Sequence, residues 1–116
     1  MSKRLNLVHR IRAFCLSFPD SSEVIQFGHP FYKWRKKPFA VYSDDHGDQL
    51  SIKVEKQSQP IFLADPRFTK TPYIGNHGWV TLTLQATIDW EEVEELIRGS
   101  YRFVASPPRK AKNKQK

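Results

Sequence analysis

The sequence predicts an α+β domain, an antiparallel sheet with helices packed on one face and the other face uncovered. Two observations carry this. Segments near each end of the 116-residue chain place apolar residues at helical spacing. Between them lie short strand-like runs separated by Gly, Pro and Asp turns. The predicted order is helix, four strands, short helix, strand, helix (α-β-β-β-β-α-β-α).

Residues 4–17 read as the first helix, since Leu7, Ile11, Phe14 and Phe18 recur at three- and four-residue steps with Val8 and Cys15 beside them. Pro19 stops it, because the residue before proline avoids helical dihedrals. Asp20-Ser21-Ser22 is a turn, and residues 23–27 form the first strand. Gly28-His29-Pro30 is a second turn, 31–35 the next strand, Lys36-Lys37 a tight turn, and 39–42 the third strand. Residues 43–48 are a polar loop with Gly47 free to take positive φ. Leu50, Ile52 and Val54 then alternate with Ser51, Lys53 and Glu55, the mark of a half-buried strand.

Residues 58–65 form a short helix with Pro60 in its first turn, and 66–78, containing Pro72, Gly75 and Gly78, read as a long loop. Strand 79–84 turns Val80, Leu82 and Leu84 to one side and Trp79, Thr81 and Thr83 to the other. The last helix spans 90–104. Asp89 is its N-cap, Glu92 completes a capping box, and Ile88 with Val93 makes a hydrophobic staple. Trp90, Val93, Ile97, Tyr101 and Val104 form its apolar stripe. Pro107-Pro108 closes a single domain over 1–106, and 107–116 is expected to be a disordered basic tail.

The net charge of +7 is largely a tail property. Residues 107–116 hold five cations and no acid, leaving 14 cations against 12 acids in the body. Within the body, Lys3, Arg4, Arg10 and Arg12 sit in the first helix, Lys33 to Lys37 form a second basic group, and the acids gather between Asp89 and Glu95. A positive side and a negative side follow. Cys15 is alone, so no disulfide or cysteine zinc framework can form within the chain, and its place on the helix stripe reads as a buried inert thiol. No apolar run approaches the ~20 residues of a membrane span, and no signal-peptide cleavage pattern is present. A cytoplasmic monomer is expected.

Enzymatic signatures are missing: no G-x-S-x-G, P-loop or G-x-G-x-x-G occurs. His9, His29, His46 and His77 lack metal-ligand spacing, and Asp44-Asp45-His46-Gly47-Asp48 lacks the pattern of an EF-hand loop. The chain is therefore read as a non-enzyme with no cofactor and no metal.

The segment Phe31-Tyr32-Lys33-Trp34-Arg35-Lys36-Lys37-Pro38-Phe39 alternates rings with cations. Alternation puts Lys33 and Arg35 on one face and Tyr32 and Trp34 on the other. The uncovered sheet face is expected to present Lys33, Arg35, Lys53 and Trp79, with Lys36 and Lys37 in the adjoining turn and His77 at the loop-to-strand junction Asn76-His77-Gly78-Trp79. Cations beside a stackable ring suit DNA, bound mainly through its phosphates. The plainer reading is a solvated strand face, with His77 capping its loop. The alternative is a small-ligand or protein-interaction module using the 66–78 loop and exposed strands.

Taken in order, several pieces resemble the MmcQ/YjbR-like family of small bacterial proteins. They are Phe27-Gly28-His29-Pro30-Phe31, Lys37-Pro38-Phe39-Ala40, Leu50-Ser51-Ile52-Lys53, Asp65-Pro66, Tyr73 before Gly75, His77-Gly78-Trp79-Val80, and Trp90-Glu91-Glu92-Val93 leading to Ser100-Tyr101. The resemblance spans about residues 5–105. It implies a frataxin/CyaY-like α+β sandwich, a double-wing arrangement and a DNA-binding role. It carries the recurrent positions Gly28, His29, Phe39, Lys53, His77, Trp79, Ser100 and Tyr101 onto this chain. The ribbon here is more basic and aromatic than the family pattern, and the Lys-rich tail is extra. The basic first helix argues against frataxin-like iron chemistry.

Overall fold

The structure, a computed structural model, describes residues 3–45, 47–72, 74–84 and 89–105. Its elements are α1 (Lys3–Leu16), β1 (Ser21–Gln26), β2 (His29–Trp34), β3 (Lys37–Ser43), β4 (Gln49–Lys53), α2 (Gln59–Leu63), β5 (Phe68–Lys70), β6 (Trp79–Thr83) and α3 (Trp90–Ala105). The strands form one antiparallel sheet in the order β1-β2-β3-β4-β6-β5. The expected α+β architecture is present, with one strand more than expected.

All three helices lie on one face. Helix α1 packs on β1 and β2, α3 on β2, β3 and β4, and α2 on β5 and β6. The core between the layers joins Leu7, Ile11 and Cys15 of α1 to Val93, Ile97 and Val104 of α3. From the sheet come Tyr32, Ala40, Tyr42, Leu50, Ile52, Phe68, Val80 and Leu82. Burying each large aliphatic side chain contributes roughly 1.5–3 kcal/mol. The seam of α1 runs along Leu7, Ile11 and Cys15; Phe14 and Phe18 sit at its edge, where Phe18 stacks on Tyr101 at 4.3 Å. Burial pushes the Cys15 thiol well above its ordinary pKa, and nearby Glu23 adds to the effect, so it stays protonated and inert.

The turns differ in detail from the sequence expectation. Residues 27 and 28 form the first hairpin turn, and His29 and Pro30 belong to β2. Phe27 at φ 55° and Gly28 at φ 79° give this two-residue connection its primed-turn twist. The β2–β3 turn is Arg35-Lys36, because Trp34 pairs with Lys37. The 66–78 loop contains β5, which pairs with the β6 edge from Phe68↔Leu82 to Lys70↔Val80. Partners Tyr32↔Ala40 and Lys33↔Pro38 leave Phe39 as an extra residue in β3. This bulge accompanies a fully buried Phe39 ring beside Phe18 and Tyr101.

Helix α3 is capped as expected: the Asp89 carboxylate accepts the backbone N–H groups of Glu91 and Glu92. The capping-box half does not form, because Glu92 instead accepts two hydrogen bonds from the Arg67 guanidinium. Ile88 of the expected staple, Tyr73, His46 and the 107–116 tail lie outside the described residues.

Candidate functional site

Strand pairing opposes Lys53 and Trp79, one step beyond Ile52↔Val80. The Ile52 and Val80 side chains belong to the helix-facing core, so alternation assigns Lys53 and Trp79 to the other side. The adjacent pair Ser51 and Thr81 confirms the register: their hydroxyls are 2.8 Å apart, and Thr81 also meets Thr71 at 2.9 Å. Beyond Lys53, Ser100 of α3 ties three elements together. Its hydroxyl accepts the Lys53 backbone N–H at 2.9 Å and donates to the Phe39 carbonyl at 2.6 Å. The Trp79 carbonyl accepts from the buried Gln59 side chain at 3.0 Å, which also donates to the Gly75 carbonyl.

At this end of the sheet, below the C-terminus of α3, Lys36, Lys37, Pro38, Lys53, Trp79, Phe103 and Val104 surround a concave surface of about 380 Å³. Four predicted site residues, Lys36, Lys37, Lys53 and Trp79, therefore meet in one cup. Lys33 stands beside it as the cross-strand partner of Pro38. Arg35 and His77 do not line it. Arg35, in a turn at φ 57°, lies over the Trp34 ring at 4.6 Å and pairs with Asp20 at 3.3 Å, which removes it from the face expected to hold it. His77 is exposed in a short 3-10 turn before Gly78.

Trp79 needs a larger correction. It is only 4% exposed, so its indole is a wall of the cup and not a platform for stacking. The accessible ring is Phe103, at 40%. Sequence reading passed over it because it lies off the α3 stripe; an aromatic off the stripe was the signal available.

The electrostatics separate two kinds of cation. Arg10 sits over the Trp90 ring and 4.0 Å from Glu94, Arg12 pairs with Glu23, Arg67 with Asp65 and Glu92, and Arg98 with Glu95. Among the described residues, Lys36, Lys37 and Lys53 have no acidic partner within ion-pair distance. Arg10 and Arg12 of the first helix thus do not add to a free positive side, and the cup does.

A second cluster lies at the other end of the β2–β3 ladder. His29 Nε2 is 2.9 Å from Asp45 Oδ2, and donor atoms of His29, Asp44 and Asp45 fall within 4.8 Å of one another. The fold brings His29 to the acidic loop from 16 residues away, beyond the reach of spacing rules. The His29–Asp45 hydrogen bond itself accounts for this cluster.

The YjbR family model matches residues 16–103. The chain belongs to the YjbR family. The crystal structure of Deinococcus radiodurans protein DR2400, with a DUF419 domain, is similar to it. That likeness has a TM-score of 0.71 at 28% identity and covers 92% of this chain and 82% of that one. No curated protein matches. Among the described residues, no helix is long and apolar enough to cross a membrane.

Proposed function

We propose that this YjbR-family chain is a non-enzymatic DNA-binding protein that holds phosphates in the cup formed by Lys36, Lys37 and Lys53. The observation that supports it is that these three lysines converge without acidic partners, while neighbouring arginines are ion-paired. An ammonium cluster of this kind favours a phosphate oxyanion electrostatically. With the Trp79 ring covered, phosphate contact rather than base stacking supplies the affinity.

The test is anisotropy of a labelled duplex with the full-length chain. Combined Lys36→Gln, Lys37→Gln and Lys53→Gln substitution is expected to weaken binding by about tenfold or more at moderate salt. The control Lys56→Gln with Lys70→Gln removes exposed lysines outside the cup and is expected to have a smaller effect. Equal losses in the two variants would reject the cup as the reader.

A second reading, protein docking on the β1 edge, draws on Ile25 and Phe27, which are 63% and 87% exposed. Capture of a specific partner at high salt, lost in an Ile25→Lys variant, would favour it.

A further inference from the structure

We propose that the cup and a neighbouring groove form one cleft for a nucleoside phosphate, with the phosphate among the lysines and the base against α3. This rests on the phosphate-binding reading of the cup and names the ligand class that completes it. The groove encloses about 450 Å³, and its lining includes Val54, Phe62, Leu96 and Gly99; Lys53 and Phe103 line both concavities. The two volumes fall in the range of small-ligand sites.

Leu96, Gly99 and Phe103 share one face of α3, at three- and four-residue steps. A Cβ placed on Gly99 would have no atom within 4 Å, so the glycine leaves an open slot beside the accessible Phe103 ring. A flat base suits a slot with an aromatic edge and apolar walls.

Charge gives the ligand a direction. The cup lining has three lysines and no acid, whereas the groove lining is balanced, Glu55 and Glu95 against Lys53 and Arg102. A ligand with one anionic end and one neutral planar end is accepted in a single orientation. A continuous strand threaded through the groove would bring further phosphates to a stretch without the uncompensated positive charge of the cup. The shared chemistry is therefore a free mononucleotide or the terminal nucleotide of a strand.

Calorimetry on the full-length chain tests this with deoxyadenosine monophosphate, deoxyadenosine, inorganic phosphate and a short single strand with or without a terminal phosphate. The mononucleotide is expected to bind about tenfold or more tightly than phosphate or nucleoside alone, the two parts reinforcing each other. Gly99→Leu fills the slot while improving helix propensity. It is expected to weaken the mononucleotide about tenfold yet leave inorganic phosphate and duplex binding within about twofold. Phe103→Ala is a second variant, likewise expected to weaken the mononucleotide about tenfold. A phosphorylated strand that outcompetes the mononucleotide identifies the strand end as the source; the reverse identifies the free nucleotide. Unchanged mononucleotide affinity in both variants, or phosphate binding as tightly as the mononucleotide, overturns the proposal. Duplex binding indifferent to the three lysine substitutions rejects the DNA reading alone, since mononucleotide selectivity is measured separately.

Discussion

Gly78 shows how a single residue can set the site. Its φ of 92° lies in the left-handed region, and an added Cβ would fall 2.4 Å from the Val54 carbonyl oxygen. The same approach lets the Val54 N–H donate to the Gly78 carbonyl at 2.8 Å, joining the chain after β4 to the start of β6, next to Lys53 and Trp79. Gly78→Ala meets both backbone strain and a clash with main-chain atoms. Its expected cost is about 2 kcal/mol or more in urea unfolding, and a loss under about 0.5 kcal/mol would show that the approach is not fixed. Phe27 presents the opposite case, a bulky residue at φ 55° whose ring is almost fully in solvent. Its ring neighbour among the described residues, Phe31, lies 6.3 Å away. Asparagine tolerates that backbone better, so Phe27→Asn is expected to raise stability by about 0.5–1 kcal/mol; a lower unfolding midpoint would show that the Phe31 contact outweighs the strain. The sequence signalled a turn around Gly28 but displaced it by one residue, because no propensity rule places phenylalanine at positive φ.

Among the elements, those with strong periodicity were legible and those fixed by a neighbour were not. The stripe and N-cap of α3 and the alternation of β6 are written locally, and both elements formed close to the expected bounds. Strand β5 has three residues and no alternation of its own; the open edge of β6 organises it. Trp79 failed for a related reason: alternation gives a side chain's direction, while its 4% exposure is set by neighbours distant in sequence. The Ser100 link was likewise invisible, since it joins residues 47 and 61 positions apart. Ser100→Ala leaves the Lys53 N–H and Phe39 carbonyl without that partner, at an expected cost of about 1–3 kcal/mol in chemical unfolding; a change near zero would place water or another donor there. The Asp65–Arg67 pair predicts a pH-dependent contribution to stability. Hydrogen bonds from the Arg67 side chain and backbone hold the Asp65 carboxyl below its ordinary pKa of 3.8. A depressed folded-state pKa contributes stability above the unfolded value and loses it as pH falls through the folded one. The stability gap between the wild type and Arg67→Met should thus be present at neutral pH and narrow below the ordinary aspartate range. A gap that stays constant into acid would assign the Arg67 effect to packing.

At the scale of the whole molecule, charge segregation matters more than net charge. The acids of α3 lie in its first turns, whereas Phe103 and Val104 of its last turn border the cup. A 16-residue helix spans roughly 24 Å, so its first-turn acids Glu91 and Glu92 lie more than a Debye length from the cup at physiological salt. Arg10 of α1 is drawn toward the α3 acids and Arg12 to β1, while the cup lysines have no acidic partner among the described residues. The last described residue, Ala105, is adjacent in sequence to Val104 in the cup wall. The five cations of 107–116 follow it in sequence, and the proposed DNA binding expects them to add to the affinity. Salt titration of duplex binding separates the contributions. Each phosphate neutralised adds about 0.9 to the magnitude of the log–log slope, so substituting the three cup lysines should remove up to roughly 2.7 and substituting the five tail cations up to roughly 4.5. With the tail cations replaced by glutamine in the full-length chain, the expected result is weaker binding that still responds to Lys36, Lys37 and Lys53. Binding that vanishes with the tail charges alone would make the tail the whole of the nucleic-acid affinity and leave the cup's lysines to another ligand.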